Sequence, residues 1–277
     1  MREKRIARGQ IAERLRLAPG RRARLEERSA ANRLGWDEEE AKRALDENCT
    51  RLEHLQHKMY ADGRTGMIIL LQGIDASGKD GTIRHVIRAF NPQGLRVTSF
   101  KEPSTDEAKH DYLWRIHARA PRRGEVAVFN RSHYEEVLAV RVRHLAPPSK
   151  WRPRYAQIND FERLLVANDM RVVKLFLHIS KEEQRRRFEA RVREPHKQWK
   201  FDPADLDSRR QWGQYRRAFE EALSRCSTAW APWYVIPADH KWLCHFAVSE
   251  ILRNELERLP LRWPKPDYDP RRIRIPG

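Results

Sequence analysis

Cysteine is scarce in this chain. Cys49, Cys226 and Cys244 are the three among 277 residues, and they lie far apart with no C-x-x-C pair. That spacing argues against a disulfide framework and a zinc site, and a reducing cytoplasm is the expected compartment. Long apolar runs are missing as well. None approaches the roughly 20 residues a membrane span needs, and the start carries no apolar stretch of the kind found in a secretory signal. Glu3, Glu13, Glu26 and Glu27 punctuate the Arg-rich start, so an acid-poor mitochondrial transit peptide is not expected either. No internal repeat is visible. Acids are outnumbered: 39 Asp+Glu face 56 Lys+Arg, a net charge of +17. A charge of that size is a statement about partners, and it implies a polyanion. Nucleic acid, an anionic membrane and an inorganic phosphate polymer all qualify.

What is present suits one α/β domain with appendages, since 40% of the residues are apolar and a chain of this length can bury a sizeable core. Residues 1–35 are rich in Arg, poor in large apolar side chains and interrupted by Pro19-Gly20. They read as a basic extension outside the main core. Ala41, Leu45, Leu52, Leu55 and Met59 recur at helical spacing, so Glu38 to Tyr60 is expected as an amphipathic helix against that core. Short apolar runs then alternate with helical patterns. Strands are expected at 67–72, 95–100, 125–129, 171–179 and 233–236, with helices at 79–90, 106–119, up to about 168, 182–193, 208–226 and 242–259. Such alternation means βαβ units and a parallel sheet covered by helices on both faces. The core spans 36–263, and 264–277 is a Pro-rich tail.

The most informative stretch is Gly73-Ile74-Asp75-Ala76-Ser77-Gly78-Lys79-Asp80-Gly81-Thr82, which starts where the run Met67 to Leu71 stops. The spacing G-x-x-x-x-G-K turns successive backbone N–H groups into a concavity for phosphate oxygens, with the lysine at the start of the following helix. Gly73, Ala76, Ser77, Gly78, Lys79, Asp80, Gly81 and Thr82 are the candidate phosphate contacts. Two acids depart from the usual loop. Asp75 would repel phosphate unless a cation lies between, so it is a candidate Mg²⁺ ligand, the alternative being a backbone cap. Asp80 stands where Ser or Thr normally ligates magnesium, and reads equally as a ligand or as a complement to the helix dipole.

The run Glu125 to Phe129 has the placement of a Walker B strand, yet ends in Asn130 rather than Asp. Asn130 accepts a hydrogen bond without adding charge, and Arg131 beside it has a fork suited to phosphate. Glu135 and Glu136 follow as candidates for orienting a metal-bound water. Further on, Glu183 to Arg193 places several guanidiniums on one helix face, with Arg187 and Arg191 one turn apart. Lys197 and Lys200 come after it. This is where nucleoside-phosphate kinases carry a mobile lid, so 182–212 is expected as a helical lid whose Arg187 and Arg191 neutralise the transferring group.

Taken in order, Leu52-Glu53-His54-Leu55-Gln56, the loop from Gly73 to Gly81, Asn91-Pro92-Gln93-Gly94, Phe129 to Tyr134, Trp199-Lys200-Phe201 and Ala231 to Asp239 resemble the polyphosphate kinase 2 family. The resemblance implies a three-layer P-loop kinase fold that moves a phosphoryl group between inorganic polyphosphate and a nucleotide. It also implies a basic channel that accounts for the +17 without nucleic acid or membrane, Mg²⁺ as cofactor, and a homodimer or homotetramer. Its acceptors are adenine or guanine nucleotides, and Asn130 looks like the branch able to use AMP as well as ADP. On this reading Asp75, Lys79 and Arg131 are catalytic, Asp75 and Asp80 hold the metal, and Asn130 and Lys200 contact nucleotide. Two rivals remain: a nucleoside-monophosphate kinase using ATP, and a nucleic-acid-binding P-loop ATPase. The second lacks any helicase-like motif or aromatic interleaving of its basic residues.

Overall fold

The computed structural model of the chain describes residues 4–276. Five parallel strands, β1 (Gly66–Gln72), β2 (Leu95–Ser99), β3 (Val126–Asn130), β4 (Met170–His178) and β5 (Trp233–Pro237), form one sheet in the order β2-β3-β1-β4-β5. β1 is buried at every position. Its side chains alternate between two cores: Met67, Ile69 and Leu71 face one, Ile68 and Leu70 the other. β3, β4 and β5 split in the same way, which is why their runs are mostly apolar rather than alternating, with Lys174 the buried exception in β4. The layers are therefore helix, sheet, helix.

On the first face lie α1 (Arg8–Leu15), α2 (Glu38–Asp62) and α3 (Lys79–His85), packed with the closing helix at Lys241–Glu257. α2 starts at Asp37, whose carboxylate accepts from Glu40 N, and ends at Gly63 in the left-handed region, φ +63°. The second face is built by short turns α4 (Trp114–His117), α5 (Ala139–Val142) and α6 (Pro148–Trp151), then the longer α7 (Arg154–Ala167). α8 (Lys181–Arg193), α9 (Pro195–Gln198) and α10 (Asp205–Arg210) rise over the carboxyl edge of the sheet, and α11 (Trp212–Cys226) returns to the second face. The closing helix is α12.

Three expectations need correction. The helix at 79–90 stops at His85, and a separate 3-10 turn covers Ile87–Ala89. The segment 106–119 yields a 3-10 turn and the four residues of α4. Ser104 and Glu107 cap each other there, and Asp111 accepts from Leu113 N, so local side-chain bonds compete with helix propagation. The third is the N-terminal extension, which belongs to the core. Ile11, Leu15, Leu17 and Leu25 are buried, Arg8 reaches Glu250 and Asn48 at 2.7 Å each, and Leu17 N donates to Trp233 O at 2.8 Å. An antiparallel bridge from Arg16 to Tyr234 closes the β5 edge of the sheet. Residues 264–276 are exposed apart from the half-buried Asp269, with a 3-10 turn at Pro270–Arg272.

Candidate phosphate-binding site

The loop between β1 and α3 sits at the carboxyl edge of the sheet, beside the end of β3, because Leu71 and Asn130 are register partners. Gly73, Ala76 and Gly78 take φ of +157°, +64° and +107°, so the chain coils around a hollow. At Gly73 no side chain fits: a Cβ there would lie 2.6 Å from Ser77 Oγ and 2.8 Å from Leu177 O. Lys79 is buried and curls back onto the loop, its Nζ donating to Gly73 O at 2.8 Å. Burial, then the neighbouring Arg131, lowers its pKa to about 8.

The two unusual acids meet partners at the carboxyl end of β3, Asn130 and the residue after it. Asp75 pairs with Arg131 at 2.7 Å, and Asp80 accepts from Asn130 Nδ2 at 2.7 Å. Arg131 is held in the left-handed region, φ +61°, while its N–H bonds Leu71 O, so the backbone turn itself aims the guanidinium at the loop. Burial opposes its charge, and the Glu135 and Asp75 carboxylates outweigh that. The adjacent glutamates part company. Glu136 pairs with Arg154 at 2.6 Å, away from the loop. Glu135 stays near Lys79 and Arg131. Its carboxyl is raised by burial and pulled back by those cations, and the Gln72 amide, turned to satisfy both neighbours, donates to it at 3.2 Å.

The lid arginines occupy different positions from those expected. Arg187 is buried under the loop with its guanidinium turned to main-chain carbonyls of residues 76, 77, 238 and 239. Arg191 lies further out, on Asp205 at 3.1 Å and Lys200 O at 3.4 Å. Lys200 Nζ lies 5.0 Å from the ring centroid of the exposed Trp199. The structure thus gathers Gly73, Asp75, Ala76, Ser77, Gly78, Lys79, Asp80, Asn130, Arg131 and Arg187 into one site, with Arg191 and Lys200 on an outer arm. Gly81 and Thr82 lie in α3, where Thr82 Oγ1 donates to Gly78 O.

Sequence reasoning missed Tyr215 and Asp205. Burial first, then the Glu135 and Asp75 charges, push the Tyr215 hydroxyl up to about 12. Asp205 is raised by burial and by Asp75. Both are far along the chain from the loop, and no local pattern announces them. Among the described residues no set of three His, Cys, Asp or Glu is arranged to hold a metal. A magnesium ion held by one or two carboxylates and completed by substrate oxygens needs no such set, and Asp75 and Asp80 supply hard oxygen donors of that kind.

Residues 35–261 match the family model "Polyphosphate kinase 2 (PPK2)". The AMP/ADP-polyphosphate phosphotransferase of Meiothermus ruber is 48% identical over 225 residues, covering 81% of this chain and 84% of that protein. The ADP-polyphosphate phosphotransferase of Rhodopseudomonas palustris is 46% identical over 227 residues, 78% of each chain. The crystal structure of polyphosphate kinase 2 from Arthrobacter aurescens TC1 superposes with a TM-score of 0.90 at 38% identity, covering 97% of this chain and 95% of that one.

Proposed function

The chain belongs to the polyphosphate kinase 2 family, and from that premise we propose that it moves a phosphoryl group between inorganic polyphosphate and AMP or ADP, with Mg²⁺. The observation that carries the reading is the pairing, across the loop and the end of β3, of Asp75 with Arg131 and of Asp80 with Asn130. A phosphate loop with two acids becomes productive when a cation and a β3 side chain face them.

In the transfer, an oxygen of the acceptor phosphate forms the new P–O bond, while the bond to the next phosphate of the polymer breaks and its oxygen leaves with the electron pair. Little covalent help is required, so the protein's task is alignment and charge dispersal. Loop N–H groups and Lys79, swung from Gly73 O onto the phosphates, hold the donor. Arg131 spreads charge over the transferring oxygens. Arg191, attached to Asp205 through a single nitrogen, is the outer arginine available to the incoming polyanion. Asp75 and Asp80 would hold Mg²⁺, which when bound neutralises non-bridging oxygens. The +17 charge serves the polymer, and guanine nucleotides are compatible with the same phosphate contacts. The proposed assembly is a homodimer or homotetramer in the cytoplasm, and among the described residues no helix is long and apolar enough to cross a membrane. Neither an ATP-dependent nucleoside-monophosphate kinase nor a nucleic-acid-binding ATPase is favoured by the relatives.

The test is incubation of purified protein with long-chain polyphosphate, Mg²⁺ and ADP or AMP, followed by separation of the nucleotides. ATP from ADP, and ADP from AMP, are expected. Asp75→Asn and Lys79→Ala should each reduce turnover by at least roughly 100-fold with unchanged circular dichroism, and retained turnover in both would sink the assignment.

A further inference from the structure

The guanidinium of Arg187 has no donor left to give. Its Nε bonds Glu183 at 2.7 Å, Nη1 bonds Ala76 O at 2.8 Å and Ser77 O at 2.9 Å, and Nη2 bonds Ala238 O at 2.5 Å and Asp239 O at 3.1 Å. An arginine carries five N–H donors, and all of them have acceptors. One turn earlier on α8, the buried Gln184 donates from Nε2 to Asp75 O at 3.1 Å. Three consecutive carbonyls of the phosphate loop, those of residues 75, 76 and 77, are thus taken by two side chains of one helix.

A peptide unit that points its carbonyl one way points its N–H the other. Fastening the carbonyls of residues 75 and 77 outward turns the N–H groups of Ala76 and Gly78 toward the hollow in which an anion lies, while the Ser77 N–H closes the turn on Ile74 O at 3.0 Å. Ala76 also stands in the left-handed region, which a non-glycine residue adopts only at a cost, and Arg187 binds that residue's own carbonyl. We propose that Arg187 and Gln184 are positioning residues for the phosphate loop, acting through its carbonyls and not by touching the transferring phosphate. The first half of α8 is then a fixed part of the site, and Arg191, one turn further on and held by one nitrogen to Asp205 and Lys200 O, is the arginine left to turn toward substrate.

The test begins in the ligand-free enzyme, so it does not depend on which phosphates are transferred. Hydrogen exchange is followed by mass spectrometry in peptides spanning 73–82 and in α2 for the unmodified protein, Arg187→Lys, Gln184→Met and the control Arg191→Lys. Arg187→Lys keeps the charge but cannot bridge five acceptors. It and Gln184→Met should each speed loop exchange at least tenfold and leave α2 unchanged, while Arg191→Lys changes neither. In turnover with polyphosphate and ADP, the first two should lose kcat at least tenfold with KM for polyphosphate within threefold. Their double variant should lose little more than either, because both act through one loop. Loop exchange at the unmodified rate in both variants would overturn the proposal. So would faster exchange that spreads through α2 in both, since that would make them supports of the whole scaffold.

Discussion

Lys79 shows how burial and charge meet in one residue. Its ammonium is enclosed by the loop it serves, and burial with Arg131 brings its pKa down to about 8. On the proposed function the charged form is the one that holds phosphate, and it is lost as pH rises through that value. In the free enzyme kcat/KM for polyphosphate should therefore be level below pH 8 and fall by roughly tenfold per pH unit above it. Lys79→Arg should lack that break while being slower throughout. A pH profile of kcat/KM that stays flat to pH 9.5 would remove Lys79 from this role. Lys79 and Arg131 were readable from their motifs. The five bonds of Arg187 were not, because an arginine run on a helix looks the same whether a given guanidinium faces water or the underside of a loop.

Between β4 and α7 lies a fully buried ion pair. Lys174 bonds Glu162 at 2.6 Å, Tyr134 Oη at 3.0 Å and Cys226 O at 2.5 Å, while Glu162 also accepts from Tyr134 at 2.8 Å. His133 and Tyr134 come two and three residues after Arg131, so this cluster anchors the turn that aims the guanidinium. Glu162 is held below the usual carboxylate range: burial opposes its charge, and Lys174 and His133 outweigh it. Removing one partner leaves a buried charge uncompensated. Lys174→Met should cost about 3–5 kcal/mol in urea unfolding, and adding Glu162→Leu should recover most of it. Equal stability of the single and double variants would mean the charges do not depend on each other. No periodicity signals this pair, since Lys174 interrupts an apolar strand and finds its partner only when α7 packs on it. Strand positions were legible because apolar runs of this length suit a doubly covered parallel sheet. The segment 106–119 was misread because capping residues resemble helix formers until their side chains are seen bonding backbone.

As a whole, the molecule uses its N-terminal segment as a strap over the first face and the β5 edge, continuing to His178 and Asp239 through the carbonyls of Arg28 and Ala30. Each large side chain it buries is worth about 1.5–3 kcal/mol. Deletion of residues 1–35 should therefore lower the melting temperature by at least roughly 5 °C or leave the protein insoluble. An unchanged melting curve would restore the reading of a solvated arm. The strap was hidden because Ile11, Leu15 and Leu17 are few among many arginines, and hydropathy averages over a stripe that narrow. The local code was nonetheless sufficient for the alternating strands, the phosphate loop and the kind of partner a charge of +17 demands, since backbone conformation and net charge are set by neighbouring residues and by composition. Packing settled that Asp75 faces Arg131 and Asp80 faces Asn130, that Arg187 bonds the loop carbonyls while Arg191 bonds Asp205, and where residues 4–35 lie, because each depends on contacts between segments distant in the chain.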